Sequence, residues 1–312
     1  MTGRTSLTRG LLLAALCLGG VAAAKVTVVA SVPDLGALAR EVGGDDVEVR
    51  VLARSTQDPH FVDGRLNLVL DMSKADLLVF NGLGLEAGWL PVLMTNARNA
   101  KIQPGQPGHL DASTLVTLID VPQGKVDRSM GDIHPGGNPH YTHDPRNGVK
   151  VAQGIAERLA KLDPDRAEAY LGRAKAFEEA MNARIAQWQQ RLSKFEGAPV
   201  VTYHRSWGYF TRFAGLKEVA YVEPKPGLPP NAGHVSQVLG AMKREKVRLI
   251  LQEDWYQSAT SEQLAKLTGA TLVRVPGQTR EGTRYADHMA ALMDQTVRAL
   301  EKGAEKGAAP KP

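Results

Sequence analysis

Asp163–Phe195 reads DPDRAEAYLGRAKAFEEAMNARIAQWQQRLSKF. Asp163 stands at an N-cap position and Pro164 at the first helical position, which are the residue types a helix start favours. The run after Pro164 carries no further proline and predicts one helix of roughly 30 residues, ~45 Å long at the helical rise. An average globular helix has ~11 residues, so a helix of this length spans something. It lies mid-chain between two α/β patterns and reads as a rigid spine joining two lobes. The competing reading is a long amphipathic cover on one domain.

On the N-terminal side, Val26–Ala30, Val47–Leu52, Asp76–Asn81 and Leu115–Ile119 read as strands. They alternate with helices at Leu35–Val42, Leu66–Ser73 and Leu85–Ala97, and Asn147–Lys161 has helical spacing ahead of the spine. On the C-terminal side, strands at Val200–Tyr203, Val219–Glu223, Leu249–Glu253 and Thr271–Val275 alternate with helices at Gly208–Ala214, Val235–Glu245, Ser261–Thr268 and Tyr285–Lys302. Short alternating units of this kind imply parallel sheets covered by helices. The expected architecture is α/β: two lobes, 25–163 and 196–302, each a parallel sheet flanked by helices, joined by the helix of 164–195. Residues 303–312, rich in Lys, Ala, Gly and Pro, read as a frayed tail.

Residues 1–24 belong to neither lobe. Arg4 and Arg9 precede the apolar run Leu11–Val21, and Ala22-Ala23-Ala24 is a small-residue cleavage site. This is the pattern of a secretory signal peptide, and the run is shorter than the ~20 apolar residues that span a bilayer. Cys17, the single cysteine, is preceded by Leu16, which argues against lipidation there. An exported chain starting at Lys25 has no cysteine. A transition-metal site in it must therefore come from His, Asp and Glu. The chain has 312 residues, 43% of them hydrophobic, enough for a sizeable core, and a formal net charge of +5. Removing two arginines with the leader leaves +3, and with no dense basic run this excludes nucleic acid as a partner.

The eight histidines are the most informative residues. Three lie within ten positions of the Gly-, Pro- and Asn-rich loop Gly131–Arg146: His134, His140 and His143. His60 follows the second strand through Asp58-Pro59, and His204 ends the strand Val200–Tyr203. In open parallel sheets, ligands bind beyond the carboxyl ends of the strands. His60, His140 and His204 thus point at one interlobe cleft. Three imidazoles and a carboxylate suit tetrahedral Zn²⁺, whereas Mn²⁺ prefers more oxygen. His109, His234 and His288 read as polar surface.

These residues carry a resemblance. Asp58-Pro-His60, Ala75–Glu86 with Trp89-Leu90, Gly137-Asn-Pro-His140 with Asp144–Asn147, His204 with Trp207–Phe210, and Leu264–Gly269 together resemble the solute-binding proteins of zinc and manganese ABC transporters. The ordered set spans about Val26 to Leu300. The resemblance implies two α/β lobes joined by a long helix, with the metal between them and His60, His140 and His204 as ligands. The family's fourth ligand is usually an Asp in the loop after the last strand. Here Val275-Pro-Gly-Gln-Thr279 has no acid. Glu253 is the expected replacement, with Asp254 or water as alternatives. Zinc members often carry a long His- and acid-rich loop before the second His ligand; here Asp127–Asn138 is short, and His134 and His143 are candidates for a weak first capture step.

The expected function is a monomeric periplasmic binding protein that captures Zn²⁺ and hands it to an ABC transporter permease, with a metallochaperone as a further candidate partner. A Mn²⁺ binder of the same type is the alternative. A secreted zinc hydrolase with Glu253 as general base is disfavoured by the lack of H-E-x-x-H and G-x-S-x-G motifs. A surface adhesin has no positive feature in the sequence.

Overall fold

The computed structural model describes residues 24–124 and 134–308; the leader predicted over 1–24 lies outside them except for Ala24. The first sheet is built from β1 (Val26–Ala30), β2 (Val47–Val51), β3 (Leu77–Phe80) and β4 (His109–Asp111), with α1 (Pro33–Gly43), α2 (Leu66–Ser73) and α3 (Leu90–Ala97) between them. Its order is β2-β1-β3-β4, with every pair parallel. Next come α4 (Pro145–Leu162) and α5 (Ala167–Leu192). The second sheet holds β5 (Pro199–Thr202), β6 (Lys217–Tyr221), β7 (Leu249–Glu253) and β8 (Thr271–Val275), interleaved with α6 (Gly208–Ala214), α7 (Ala232–Arg244) and α8 (Ala259–Thr268) and followed by α9 (Tyr285–Ala308). Its order, β6-β5-β7-β8, repeats that of the first, again all parallel. The two sheets flanked by helices are the predicted α/β architecture.

Apolar β-branched runs make both sheets. Val28, Val29, Ala30, Leu77, Leu78 and Val79 are fully buried, as are Val200, Val201, Leu249, Ile250 and Leu251. Continuous burial on both faces is what a helix-covered parallel sheet requires. Residues of α2 and α3 close the outer face of the first sheet, and residues of α7 and α8 that of the second. The inner faces share one core with α1, α4, α5, α6 and α9, so the lobes are joined by packing as well as by chain.

The long helix holds this arrangement. Tyr170, Ala174, Phe177, Met181, Ile185, Trp188 and Leu192 form one buried stripe along its 26 residues, at the three-and-four spacing of an amphipathic helix. Near its start, Arg173 donates to the carbonyls of Val42 and Gly43 at the end of α1 and pairs with Asp46. Near its end, Arg184, Arg191 and Lys194 pair with Asp287, Asp294 and Glu301 of α9. Arg184 and Arg191 are seven residues apart, as are Asp287 and Asp294, so the two helices run parallel there, and Lys194 extends the contact from the 3-10 turn after α5. Such exposed pairs contribute about 0.2–1 kcal/mol each; the shared core supplies the strength, and the pairs set the register.

Four local expectations are corrected. Leu115–Ile119 is not a strand: Leu115 ends a 3-10 turn and Val116–Ile119 is irregular. Its apolar residues pack on the shared core, and the Ile119 N–H donates to Tyr209 Oη of the second lobe at 3.2 Å, so the run is a strap between lobes. The fourth strand is instead the short β4. The helix expected from Leu85 starts only at Leu90, because the Glu86 carboxylate accepts from the backbone of Asn81 and Gly82 and so folds a turn there. Asp163 precedes Pro164 as expected, but its carboxylate accepts from Arg166 and Tyr170 and does not cap the helix; 3-10 turns flank α5 at Pro164–Arg166 and Ser193–Phe195. Finally, α9 continues to Ala308, into the stretch read as a tail.

Candidate metal centre

His60 hangs from the turn that follows β2. The Asp58 carboxylate accepts from the His60 backbone N–H at 3.0 Å and lies 2.6 Å from His60 Nδ1. Trp89 Nε1 donates to the Pro59 carbonyl at 3.0 Å, tying the turn to the start of α3. Tyr256 Oη, from the second lobe, donates to the other Asp58 oxygen at 3.1 Å.

His140 is placed by a chain of buried amides. Asn138 Oδ1 accepts from the His140 N–H, and Asn138 Nδ2 donates to the Arg205 carbonyl across the cleft. Asn81, at the end of β3, donates to the Pro139 carbonyl at 2.6 Å, and its own carbonyl accepts from Tyr141 Oη. Gly137 has φ +115°, and a Cβ there would meet the Ile119 carbonyl at 3.0 Å, which is why the loop needs glycine at that point. His204 leaves the end of β5 with Nδ1 2.6 Å from Glu223 Oε2. Glu223 reaches it through sheet register: its N–H donates to the Tyr203 carbonyl one strand over.

These loops bring three rings together. One ring nitrogen each of His60, His140 and His204 lies within 4.8 Å of the others, and the three ring centroids are mutually 5.5 Å apart. His140 Nε2 is buried and has no hydrogen-bond partner, an expensive arrangement unless the nitrogen has another use. His60 and His204 anchor Nδ1 on a carboxylate and leave Nε2 to the cluster. A carboxylate behind the imidazole orients a metal ligand and raises its basicity. His134 stacks on His60 with centroids 5.2 Å apart, and the two Nε2 atoms are 3.1 Å apart.

The local field acts on the rings in opposite directions. Burial, with the His60 and His204 rings nearby, holds His140 well below the usual histidine range and pushes His134 down to about 3. For His204 burial also disfavours charge, but the Glu223 bond and the charges of Glu223, Glu253 and Asp58 outweigh it and raise its pKa. Burial of Asp58 is likewise outweighed by its bonds to His60, which lower its pKa. Imidazole nitrogens gathered in this way suit a borderline-soft divalent ion.

The remaining predicted residues lie elsewhere. Glu253 is buried at the end of β7, but no oxygen of it joins the mutually close set. It accepts from Ser206 Oγ and acts on His204 through its charge. Asp254 is engaged by Arg280. His143 is buried and stacked on Trp207 at 4.5 Å, with its nitrogens 3.1 Å from the carbonyls of Ser206 and Gly277; it ties the loop to the second lobe. His288, read as surface, is buried in α9. The loop after β8 is docked on α1: Asp34 Oδ1 accepts from Thr279 N–H and Oγ1, both at 2.7 Å, and the Asp34 N–H donates to Gln278 Oε1. Sequence reasoning missed Asp58 and Glu223. The Asp58-Pro-His60 spacing was a usable signal for the first. Nothing local marks the second, 19 residues from His204.

Comparison with known proteins places the chain in a family. The family described as the periplasmic component A of the zinc-uptake complex, ZnuA, matches residues 28–303. The zinc-binding lipoprotein AdcA of Streptococcus pneumoniae serotype 4 is 24% identical over 284 residues, covering 89% of this chain and 56% of AdcA, so the chain spans about half the length of that relative. The high-affinity zinc uptake system protein ZnuA of Paracoccus denitrificans is 26% identical over 250 residues, covering 70% of this chain and 73% of its own. A crystal structure of ZnuA has a TM-score of 0.74 at 24% identity, covering 88% of this chain and 98% of that one, a likeness of fold. With a family match running from β1 to α9, the chain belongs to the ZnuA family.

Proposed function

We propose that this protein binds Zn²⁺ outside the cytoplasmic membrane and delivers it to the permease of an ABC importer, with His60, His140 and His204 as ligands. The observation that carries this reading is the triangle of buried imidazoles, two of them backed by Asp58 and Glu223 and one with an unpartnered inward nitrogen. The family description and the zinc-binding relatives support the ion and the transport role. Nitrogen donors favour Zn²⁺ over Mn²⁺, which takes more oxygen ligands.

Two lobes contribute ligands, so a small relative displacement separates His204 from His60 and His140 and weakens the site sharply. The shared core and α5 restrict this to changes on the scale of loops. Metal analysis followed by calorimetric titration with Zn²⁺ and Mn²⁺ tests the reading. One Zn²⁺ should bind tightly, Mn²⁺ more weakly. His60→Ala, His140→Ala and His204→Ala should each lower zinc affinity; unchanged affinity in all three would show that the ion sits elsewhere.

A further inference from the structure

We propose that His134 is the fourth metal ligand, completing an all-histidine site from a loop rather than from a strand end. The inference rests on the reading of His60, His140 and His204 as ligands and names the donor that those three leave wanting.

Geometry carries it. A tetrahedral Zn²⁺ site with Zn–N bonds of ~2.05 Å has N···N edges of ~3.3 Å. His134 Nε2 lies 3.1 Å from His60 Nε2, already at the length of such an edge. The tautomers agree with it. His60 Nδ1 faces the Asp58 carboxylate and is a donor there, and the His134 ring donates to the Leu83 backbone. With those N–H groups committed, both Nε2 atoms present lone pairs to each other across 3.1 Å. Two facing lone pairs need a cation between or beside them, and a shared metal ion meets that need for both rings at once. A ring N–H bonded to a backbone carbonyl is also the usual support behind a metal-ligating histidine.

Each acidic candidate nearby has at least one oxygen engaged by another group, although Glu253 Oε2 and Asp254 Oδ1 are buried without a partner among the described residues. Asp58 and Glu223 hold the rings of His60 and His204. Glu253 accepts from Ser206, and Asp254 pairs with Arg280. His134 is not in the mutually close trio, and its ring centroid is 6.2 Å from that of His140. Binding therefore draws the His134 ring inward while the trio contracts from within 4.8 Å toward ~3.3 Å edges. A site of four nitrogens discriminates further against Mn²⁺.

Cobalt reports the ligand directly. The full chain and its His134→Cys, His134→Gln and His60→Ala variants are titrated with Co²⁺ and followed by near-ultraviolet and visible absorption, then competed with Zn²⁺. The unmutated chain, whose one cysteine is Cys17, supplies the baseline. The expected result for His134→Cys is a new thiolate-to-cobalt charge-transfer band, a signature that a merely structural position does not produce. His134→Gln should keep a stoichiometric site with zinc affinity roughly a hundred-fold lower. If His60→Ala abolishes binding but His134→Cys adds no band and His134→Gln binds zinc like the unmutated chain, His134 is no ligand. If the unmutated chain binds neither metal, the trio reading falls and the proposal with it.

Discussion

Gly148→Ala tests the packing that joins α4, the metal loop and α9. A Cβ on Gly148 would lie 2.4 Å from Cε1 of Tyr285, 2.5 Å from its Oη and 2.6 Å from its Cζ. Tyr285 has no exposed surface, stands against Phe177 of α5, and donates to the Thr142 carbonyl at 2.5 Å. The ring therefore has to move by about 1 Å to restore ordinary contact, with no open space to enter. Overpacking of this kind costs about 1–3 kcal/mol, and weakening the bond to Thr142 adds about 1 kcal/mol. Replacing glycine inside a helix returns about 0.5–1 kcal/mol. The net is about 2 kcal/mol of destabilisation, or about 5 °C in Tm for a chain of this size. Gly172→Ala is the matched control: it also lies inside a helix, α5, but nothing stands within 4 Å of its Cβ position, so it should gain about 0.5–1 kcal/mol. Thermal melts with a chelator present, so that bound metal does not shift the transition, measure both. Equal or raised Tm in the two variants would refute the reasoning, because opposite signs are required.

Three other outcomes follow from the site and its supports. Glu223→Gln removes the charge behind His204 and should weaken zinc about 10–100-fold with the fold intact; chelator competition measures it, and unchanged affinity would mean that Glu223 does not tune the ligand. Asp34→Ala strands the Thr279 N–H and hydroxyl and should lower stability by about 2–4 kcal/mol, read by urea titration; a loss under about 0.5 kcal/mol would show that the loop after β8 does not depend on α1. Glu86 is pushed up by burial to about 7 from 4.5, so its contribution to stability is full below pH 4.5 and is lost as pH rises through 7, a fall of about 3 kcal/mol. Urea titrations from pH 4.5 to 8 should show that fall in the unmutated chain and a flatter profile in Glu86→Gln; parallel profiles would remove the burial argument.

The strands of the second lobe were legible because their side chains obey one rule: Leu249–Glu253 and Thr271–Val275 are apolar runs bounded by turn residues, and both match the structure at each end. Leu115–Ile119 satisfies the same rule and is no strand, since partial burial against α4 and α6 rewards apolar residues as a sheet does. The short β4, with one fully apolar residue in three, has no period to read. At the site, His60, His140 and His204 could be placed because each sits at a strand end or a Pro-bearing turn, where chain direction is local information. The carboxylates could not. Glu253 stands at the correct end of its strand yet bonds to Ser206, while Glu223 reaches His204 through pairing between β5 and β6. Which oxygen meets which ring depends on sheet register and side-chain rotamer, and neither is written in spacing along the chain.

The length of α5 has a mechanical consequence. Its 26 residues make a strut of ~39 Å, so a tilt of about 1° at one end displaces the other by ~0.7 Å. A zinc–nitrogen bond tolerates ~0.2 Å. Small angular errors thus become coordination errors, and the Arg173 anchor at one end and the rungs to α9 at the other act as a gauge that keeps the jaws at bonding distance. On the proposed function, a twist of one lobe by a degree or two would loosen the ion without opening a cleft.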